Sequence, residues 1–182
     1  MNPLEIFSKW LDEEQTLSKV TIPTAVCLST NGMDGFPNAR TVSFKEINEN
    51  AFVITGPLNS RKGIEIENNN KVALTFWWTE TERQIRIQGI ATKLSNRLSD
   101  KYFKGRELNS QAVSFICNQG KEIINKNKLA DAIAEIVLQN KEILRPKEWG
   151  GFSIKPVRIE FMEFKKTRFH NRKLYESHND KV

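Results

Sequence analysis

Several short stretches of this chain carry side chains that could hold an anion or a redox-active ring. Ser60-Arg61-Lys62-Gly63 stands at the start of an expected short helix, residues 60–69. Cations at a helix start oppose the positive end of its dipole, at a cost of about 0.3 kcal/mol or more each. A bound phosphate reverses that sign, because it meets both cations and the free backbone N–H groups of the first turn. Tyr102, Arg106 and Ser110 recur at intervals of four. On one continuous helix they would share a face and offer a phenol, a guanidinium and a hydroxyl to a phosphate. Gly105 weakens such a helix, so two short helices could supply the same set.

Three further stretches invite a ligand and also have plainer readings. In Arg40-Thr41-Val42-Ser43-Phe44-Lys45, strand geometry puts Arg40 and Val42 on one face and Thr41, Ser43 and Lys45 on the other. Alone, such an Arg and Lys are as well read as solvated. In Arg145–Gly151 (RPKEWGG), Pro146 and the glycine pair mark a loop entering a strand. Trp149 there is a core anchor or a cover for a flat aromatic ligand. In Arg168–Arg172 (RFHNR), a strand would point Arg168, His170 and Arg172 to one side, suited to an anion or a hydride-accepting ring.

The elements that must position these groups are mostly strands. Leu4, Phe7, Trp10 and Leu11 predict an amphipathic helix over about 3–15. Strands are expected at 24–30, 36–47, 51–56, 71–78, 83–94, 150–164 and 168–176. In the fifth, Ile85 and Ile87 face one way and Gln84, Arg86 and Gln88 the other. Helices are expected near 96–105 and 108–116, and over 128–140, where Leu129, Ile133, Ile136 and Val137 form a stripe. Strands and helices do not alternate regularly, which argues against a doubly wound parallel sheet. The fold class read from this pattern is mainly β with helices: one domain spanning 1–182, an antiparallel barrel with peripheral helices.

Composition narrows the chemistry. The chain has 182 residues and a formal net charge of +6, which favours an anionic partner. The basic residues are scattered without repeating aromatics, so nucleic acid is not expected. No apolar run approaches the roughly 20 residues of a membrane span. The N-terminus lacks the pattern of a signal peptide, so a cytoplasmic location is expected. Cys27 and Cys117 each lie in an apolar run and are expected to be buried free thiols. No metal is expected, since only His170 and His178 could assist them. Whether the tail, 176–182, is ordered is open at this point.

In their order and spacing, RTVSFK, SRKG, WW…RQIRIQG, SDKYF…R…SQ, QG, RPKEWGG and RFHNR…Y resemble the pyridoxine/pyridoxamine 5′-phosphate oxidase family, from about Phe7 to Tyr175. The resemblance implies an antiparallel split β-barrel and a homodimer with FMN at the subunit interface. It implies oxidation of a phosphorylated pyridine at its C4′ alcohol or amine, giving pyridoxal 5′-phosphate, with hydride passed to the flavin and O2 reduced to H2O2. By the same resemblance Arg40, Thr41, Val42, Ser43 and Lys45 line FMN, and Arg61 and Lys62 hold its phosphate. Ile54, Thr55, Gln84, Gln119, Trp149 and Arg172 complete the flavin site. Lys45, Tyr102, Arg106 and Ser110 grip the substrate phosphate, while Arg168 and His170 stand against the ring near C4′ as the catalytic pair.

The sequence departs from the family pattern in places. Ile54 stands where an aromatic is common, and Gly120 where a serine often follows the glutamine. Phe169 replaces a usual Leu, Asn171 a usual Asp, and Ser43-Phe44 an aliphatic pair. An N-terminal extension that helps cover the active site in relatives is expected to be missing. Two other readings stay open: a flavin oxidase of the same fold acting on another small ring, of the phenazine-biosynthesis type, and a flavin- or B6-phosphate-binding module without turnover.

Overall fold

Ile85 and Ile87 are fully buried, whereas Arg86 and Gln88 are exposed and Gln84 is half-buried beside them. That two-residue period is what a strand with one wet face requires. The computed structural model describes residues 2–139 and 141–177. Its elements are α1 (Pro3–Leu17), β1 (Ala25–Asn31), β2 (Pro37–Asn48), β3 (Ala51–Pro57), α2 (Arg61–Asn68), β4 (Lys71–Trp78), β5 (Arg83–Lys93), α3 (Asn96–Lys104), α4 (Leu108–Ile116), α5 (Lys126–Gln139), β6 (Trp149–Glu163) and β7 (Asn171–Glu176). Residue 140, the expected end of α5, and tail residues 178–182, His178 among them, lie outside the described residues.

The sheet runs β3-β2-β1-β4-β5-β6-β7, and β3 also pairs with β6. Six strands thus close into an antiparallel barrel, which removes their edges. β7 is appended outside it, antiparallel to β6, with Met162 opposite Arg172. The mainly β architecture with helices expected from the sequence is the one found. Between β2 and β3 the chain turns on Glu49 and Asn50, both at positive φ, as a two-residue hairpin of the I′ kind demands.

The chain divides into two compact units. The first comprises Met1–Ile54, Glu65–Thr92 and Ser153–Val182. Its core is aromatic: the fully buried Phe7 of α1 meets the rings of Phe44, Phe52 and Phe76 at 5.4, 4.9 and 5.0 Å. Burying such a side chain contributes about 1.5–3 kcal/mol. Helix α1 starts on a capping box in which Asn2 Oδ1 accepts from Leu4 N–H and Glu5 accepts from Asn2 N–H. Further along α1, the buried Glu14 accepts from Glu80 N at 3.2 Å, Thr81 N at 3.0 Å and Thr81 Oγ1 at 2.9 Å. Its carboxylate therefore holds the β4–β5 turn. Arg83 strengthens the same junction by pairing with Glu13 and lying over Trp10 at 4.4 Å.

The second unit comprises Thr55–Ile64 and Lys93–Phe152. Its core is Phe103, Ala112, Ile143 and Trp149, with Ile133, Ile136 and Val137 of α5 packed against it. Of the helical stripe read from the sequence, these three side chains meet the core, although no residue of α5 is fully buried.

Both cysteines are free thiols, but each is half-buried rather than buried as expected. Cys27 sits mid-strand in β1 and Cys117 caps the end of α4, so each keeps one side in solvent. Among the described residues, no helix is long and apolar enough to cross a membrane, and no group of three His, Cys, Asp or Glu is placed to hold a metal ion.

Candidate anion and ring site

In the second unit, α2 begins directly at Arg61, and its first turn carries no acid. Arg61 is exposed and Lys62 is buried. The Lys62 ammonium donates to Ser60 Oγ at 2.9 Å and to Gln119 Oε1 at 2.8 Å. The structure thus joins Lys62 with Gln119, 57 residues apart in sequence. Gly63 lets the helix start lie against the preceding turn. A Cβ there would overlap Leu58 O and come within 2.6 Å of Leu58 C and 2.9 Å of its Cα. Thr55, in the second half of β3, is half-buried. A buried ammonium, an amide side chain and a helix start free of acids form a donor set suited to a phosphate.

A second set in this unit surrounds Arg106. The expected single helix is two: α3 ends with Gly105 as its C-cap, and α4 starts at Leu108. Glycine's conformational cost ends the first helix, so Tyr102 lies on α3, Arg106 in the link and Ser110 on α4. The half-buried Arg106 guanidinium lies 5.1 Å from the centroid of the Trp149 ring, and its Nη2 donates to Ser110 O at 3.2 Å. Ser110 therefore meets Arg106 through its backbone. Tyr102 packs half-buried against the unit's core. Burial pushes the Arg106 pKa down from its ordinary value, yet a guanidinium stays cationic at physiological pH. Arg106 Nε and Trp149 Nε1 are both buried, and neither has a hydrogen-bond partner. Buried donors without partners are uncommon in folded chains.

Trp149 is 1% exposed and packs on Phe103 at 5.1 Å, so it is a core anchor. The loop before it is held by Arg145, which donates to Asp100 Oδ1 at 2.6 Å and to the Trp149 carbonyl. Arg145 opens the RPKEWGG stretch, but the sequence carried no sign of its partners, which lie 45 and 4 residues away.

In the first unit, β2 alternates as expected. Arg40 and Val42 are half-buried on one face, and Thr41 and Lys45 are exposed on the other with Ser43 half-buried. A bulge between Phe44 and Ile47 then shifts the register with β3. Ile54 is buried in β3, and Gln84 lies half-buried on β5 opposite Trp77. Arg40 Nη2 meets Glu65 Oε2 at 2.8 Å, a partner that sequence reasoning missed.

The RFHNR stretch differs from its expectation. Arg168 and His170 lie in the turn before β7, and only Asn171 and Arg172 are on the strand. The physical reason is Arg168, whose φ of +65° is left-handed and incompatible with a strand. Its N–H closes the turn onto Lys165 O at 2.9 Å. Arg168 is exposed, and Arg172, also exposed, donates to Met162 Sδ at 3.2 Å. His170 is half-buried, 4.8 Å from the Phe164 ring, and its Nδ1 accepts from Lys165 N–H at 3.0 Å. With Nδ1 occupied as an acceptor, the neutral ring carries its proton on Nε2.

Comparison with known proteins follows the same lines. Residues 13–140 match the family described as Pyridoxamine 5′-phosphate oxidase, and residues 149–181 match the Pyridoxine 5′-phosphate oxidase C-terminal dimerisation region. The pyridoxine/pyridoxamine 5′-phosphate oxidase of Trichormus variabilis is 39% identical over 181 residues, covering 98% of this chain and 84% of that protein. The solved structure of PhzG from Burkholderia lata 383, in complex with tetrahydrophenazine-1-carboxylic acid, superposes with a TM-score of 0.91 at 27% identity, covering 98% of this chain and 88% of that one. A pyridoxamine 5′-phosphate oxidase-related, FMN binding protein from Nostoc punctiforme shares the fold, with a TM-score of 0.81 at 16% identity and coverage of 98% and 93%.

Proposed function

This chain belongs to the pyridoxine/pyridoxamine 5′-phosphate oxidase family, and from that premise we propose that it oxidises pyridoxine 5′-phosphate or pyridoxamine 5′-phosphate to pyridoxal 5′-phosphate, with O2 as acceptor and H2O2 as product; the amine substrate also takes up water and releases ammonia as its imine is hydrolysed. FMN is its cofactor. The observation that carries the reading is the half-buried Arg106 guanidinium beside the Trp149 ring, its Nε without a hydrogen-bond partner. A phosphate offers the acceptor oxygens that such a cation takes.

The residues fit FMN. The acid-free start of α2, with Lys62 buried behind it and Arg61 at its first position, suits the cofactor's phosphate. We assign Thr55 and Gln119 to the same flavin; Arg40, Thr41, Val42, Ser43, Lys45, Ile54, Gln84 and Arg172 of the first unit are assigned to flavin contacts by the family pattern. The chemistry FMN supplies when bound is two-electron oxidation at C4′, with O2 taking the electrons and leaving as H2O2.

The chain's own residues bind and orient. Tyr102, Arg106 and Ser110 are assigned to the substrate phosphate. Arg168 stays protonated, so it positions the substrate and stabilises charge that develops as C4′ is oxidised; it does not take a proton. His170 is held by Lys165 N–H so that Nε2–H points away from its own turn. In this tautomer His170 donates a hydrogen bond to a substrate oxygen or ring and does not act as a base. The match of residues 149–181 to a dimerisation region supports a homodimer, and FMN at its interface and a cytoplasmic location belong to the same proposal.

The test is turnover by purified, FMN-loaded protein with each substrate, following pyridoxal 5′-phosphate and H2O2 together. Equal amounts of both products are expected. Arg106→Ala is expected to raise KM roughly 10- to 100-fold, since hydrogen bonds to a charged group contribute about 1.5–3 kcal/mol. A second reading, oxidation of a reduced phenazine-type ring, is favoured by the likeness to the PhzG complex. Turnover of such a ring with no pyridoxal 5′-phosphate formed would replace the first reading. FMN bound with no product from either substrate would leave a binding protein.

A further inference from the structure

Glu65 has the surroundings of a group with a task. It lies on α2 and is 1% exposed, among the most buried charged residues of the described chain. Its Oε2 pairs with Arg40 Nη2 at 2.8 Å and accepts from Thr30 Oγ1, while its Oε1 accepts from Asn38 Nδ2 at 2.7 Å. Thr30 Oγ1 in turn accepts from Arg40 Nη1. One carboxylate thus grips the Arg40 guanidinium directly and again through a hydroxyl, tying β1, β2 and α2 together within the first unit.

A buried carboxylate is costly unless its partners are fixed, and removing either member of such a pair leaves an uncompensated charge. Two consequences follow for Arg40. Its orientation is set from behind, with two of its nitrogens committed to Thr30 and Glu65. Its charge is also balanced by Glu65, so it meets a ligand as an aimed donor rather than as a free cation.

We propose that Glu65 is a positioning residue for cofactor binding, holding Arg40 in the orientation in which it contacts FMN. This rests on the reading that Arg40 lines the flavin. The test is titration of flavin-free full-length protein with FMN, read by quenching of flavin fluorescence, for the wild type, Glu65→Gln, Arg40→Gln and the double variant. Thermal melts of the flavin-free proteins run in parallel. Glu65→Gln is expected to raise the FMN Kd about tenfold, the scale on which one charge-assisted hydrogen bond acts. The double variant is expected to bind no more weakly than Arg40→Gln alone, because Glu65 acts only through Arg40.

A lowered melting temperature with unchanged Kd would make Glu65 a fold staple and overturn the proposal. So would losses that multiply in the double variant. If Glu65→Gln does not fold, Thr30→Val serves instead: it keeps the carboxylate and removes the bridging hydroxyl. A several-fold rise in Kd is then expected, and none overturns the role. Failure of the wild type to bind FMN would overturn the cofactor reading itself, and this role with it, and is distinguishable because it appears before any substitution is made.

Discussion

A single methyl group at Gly63 tests whether the start of α2 is built to close tolerance. In Gly63→Ala the new Cβ meets the backbone of Leu58, overlapping its oxygen and lying 2.6 Å from its carbonyl carbon. Ordinary contact begins near 3.4 Å. Backbone cannot rotate aside as a side-chain end can, so the helix start must shift by about 1 Å. Overpacking of this kind costs about 1–3 kcal/mol of stability. The larger effect is on the ligand: a displaced helix start loses a charge-assisted hydrogen bond to the phosphate, which contributes about 1.5–3 kcal/mol. The expected result is an FMN Kd raised about 100-fold, near 2.7 kcal/mol, with a melting temperature lower by roughly 2–12 °C for a chain of this length. Gly105→Ala is the control, because its Cβ meets nothing nearer than Lys101 O at 3.5 Å. It should bind FMN normally. If Gly63→Ala binds FMN within threefold of the wild type and melts within a degree of it, the cradle is not where the phosphate sits and the packing argument fails.

Three further outcomes follow from the geometry. Glu14→Ala leaves the β4–β5 turn without the acceptor of three hydrogen bonds, and at about 1 kcal/mol each it should lower stability by about 3 kcal/mol in urea unfolding; a change below 0.5 kcal/mol would show that water replaces the carboxylate. Arg168→Gly and Arg168→Ala both remove the guanidinium, but only glycine is at ease at a φ of +65°. The glycine variant should therefore be the more stable in thermal melts, with both losing kcat, and equal melts would mean the turn relaxes freely. The hydrogen bond from Asn171, aided by Lys165 and Arg83 and opposed by burial, holds Glu163 below its ordinary pKa. A depressed carboxylate contributes stability above its unfolded value of about 4.3 and loses it as pH falls through the folded value. Glu163→Gln should thus be less stable than wild type near pH 6, with the gap closing below about pH 4; a gap that persists in acid would rule out ionisation as its source.

What the sequence disclosed, it disclosed through local regularity. Ile85 and Ile87 against Arg86 and Gln88 revealed a strand because side chains two apart must share a face. The cations at 61 and 62 stood out because a helix start disfavours them. Tyr102, Arg106 and Ser110 kept their spacing but not their helix, since Gly105 divides it. Arg168 and His170 were misplaced onto a strand because nothing in the residue type Arg announces a left-handed φ. Least legible were the groups that work over distance. Glu65 and Glu14 look like any solvated acid on a helix, and only the fold brings Arg40, 25 residues away, and Thr81, 67 residues away, to their carboxylates. A pattern within one turn of helix or one strand cannot encode a partner that far along the chain.

The closure of the barrel by β3 and β6 also sets a timetable for the nascent chain. β3 ends at Pro57, and the strand it must pair with begins at Trp149. Five of the barrel's six strands leave the ribosome well before the sixth, so β3 waits with one side unpaired through about 90 residues of synthesis, some 5–20 seconds at common elongation rates. Contacts so distant in sequence slow folding and leave strand edges open to other chains. Chaperone dependence and sensitivity to expression temperature are the expected outcome, and pulse-chase folding of chains truncated before and after residue 163 would time the event.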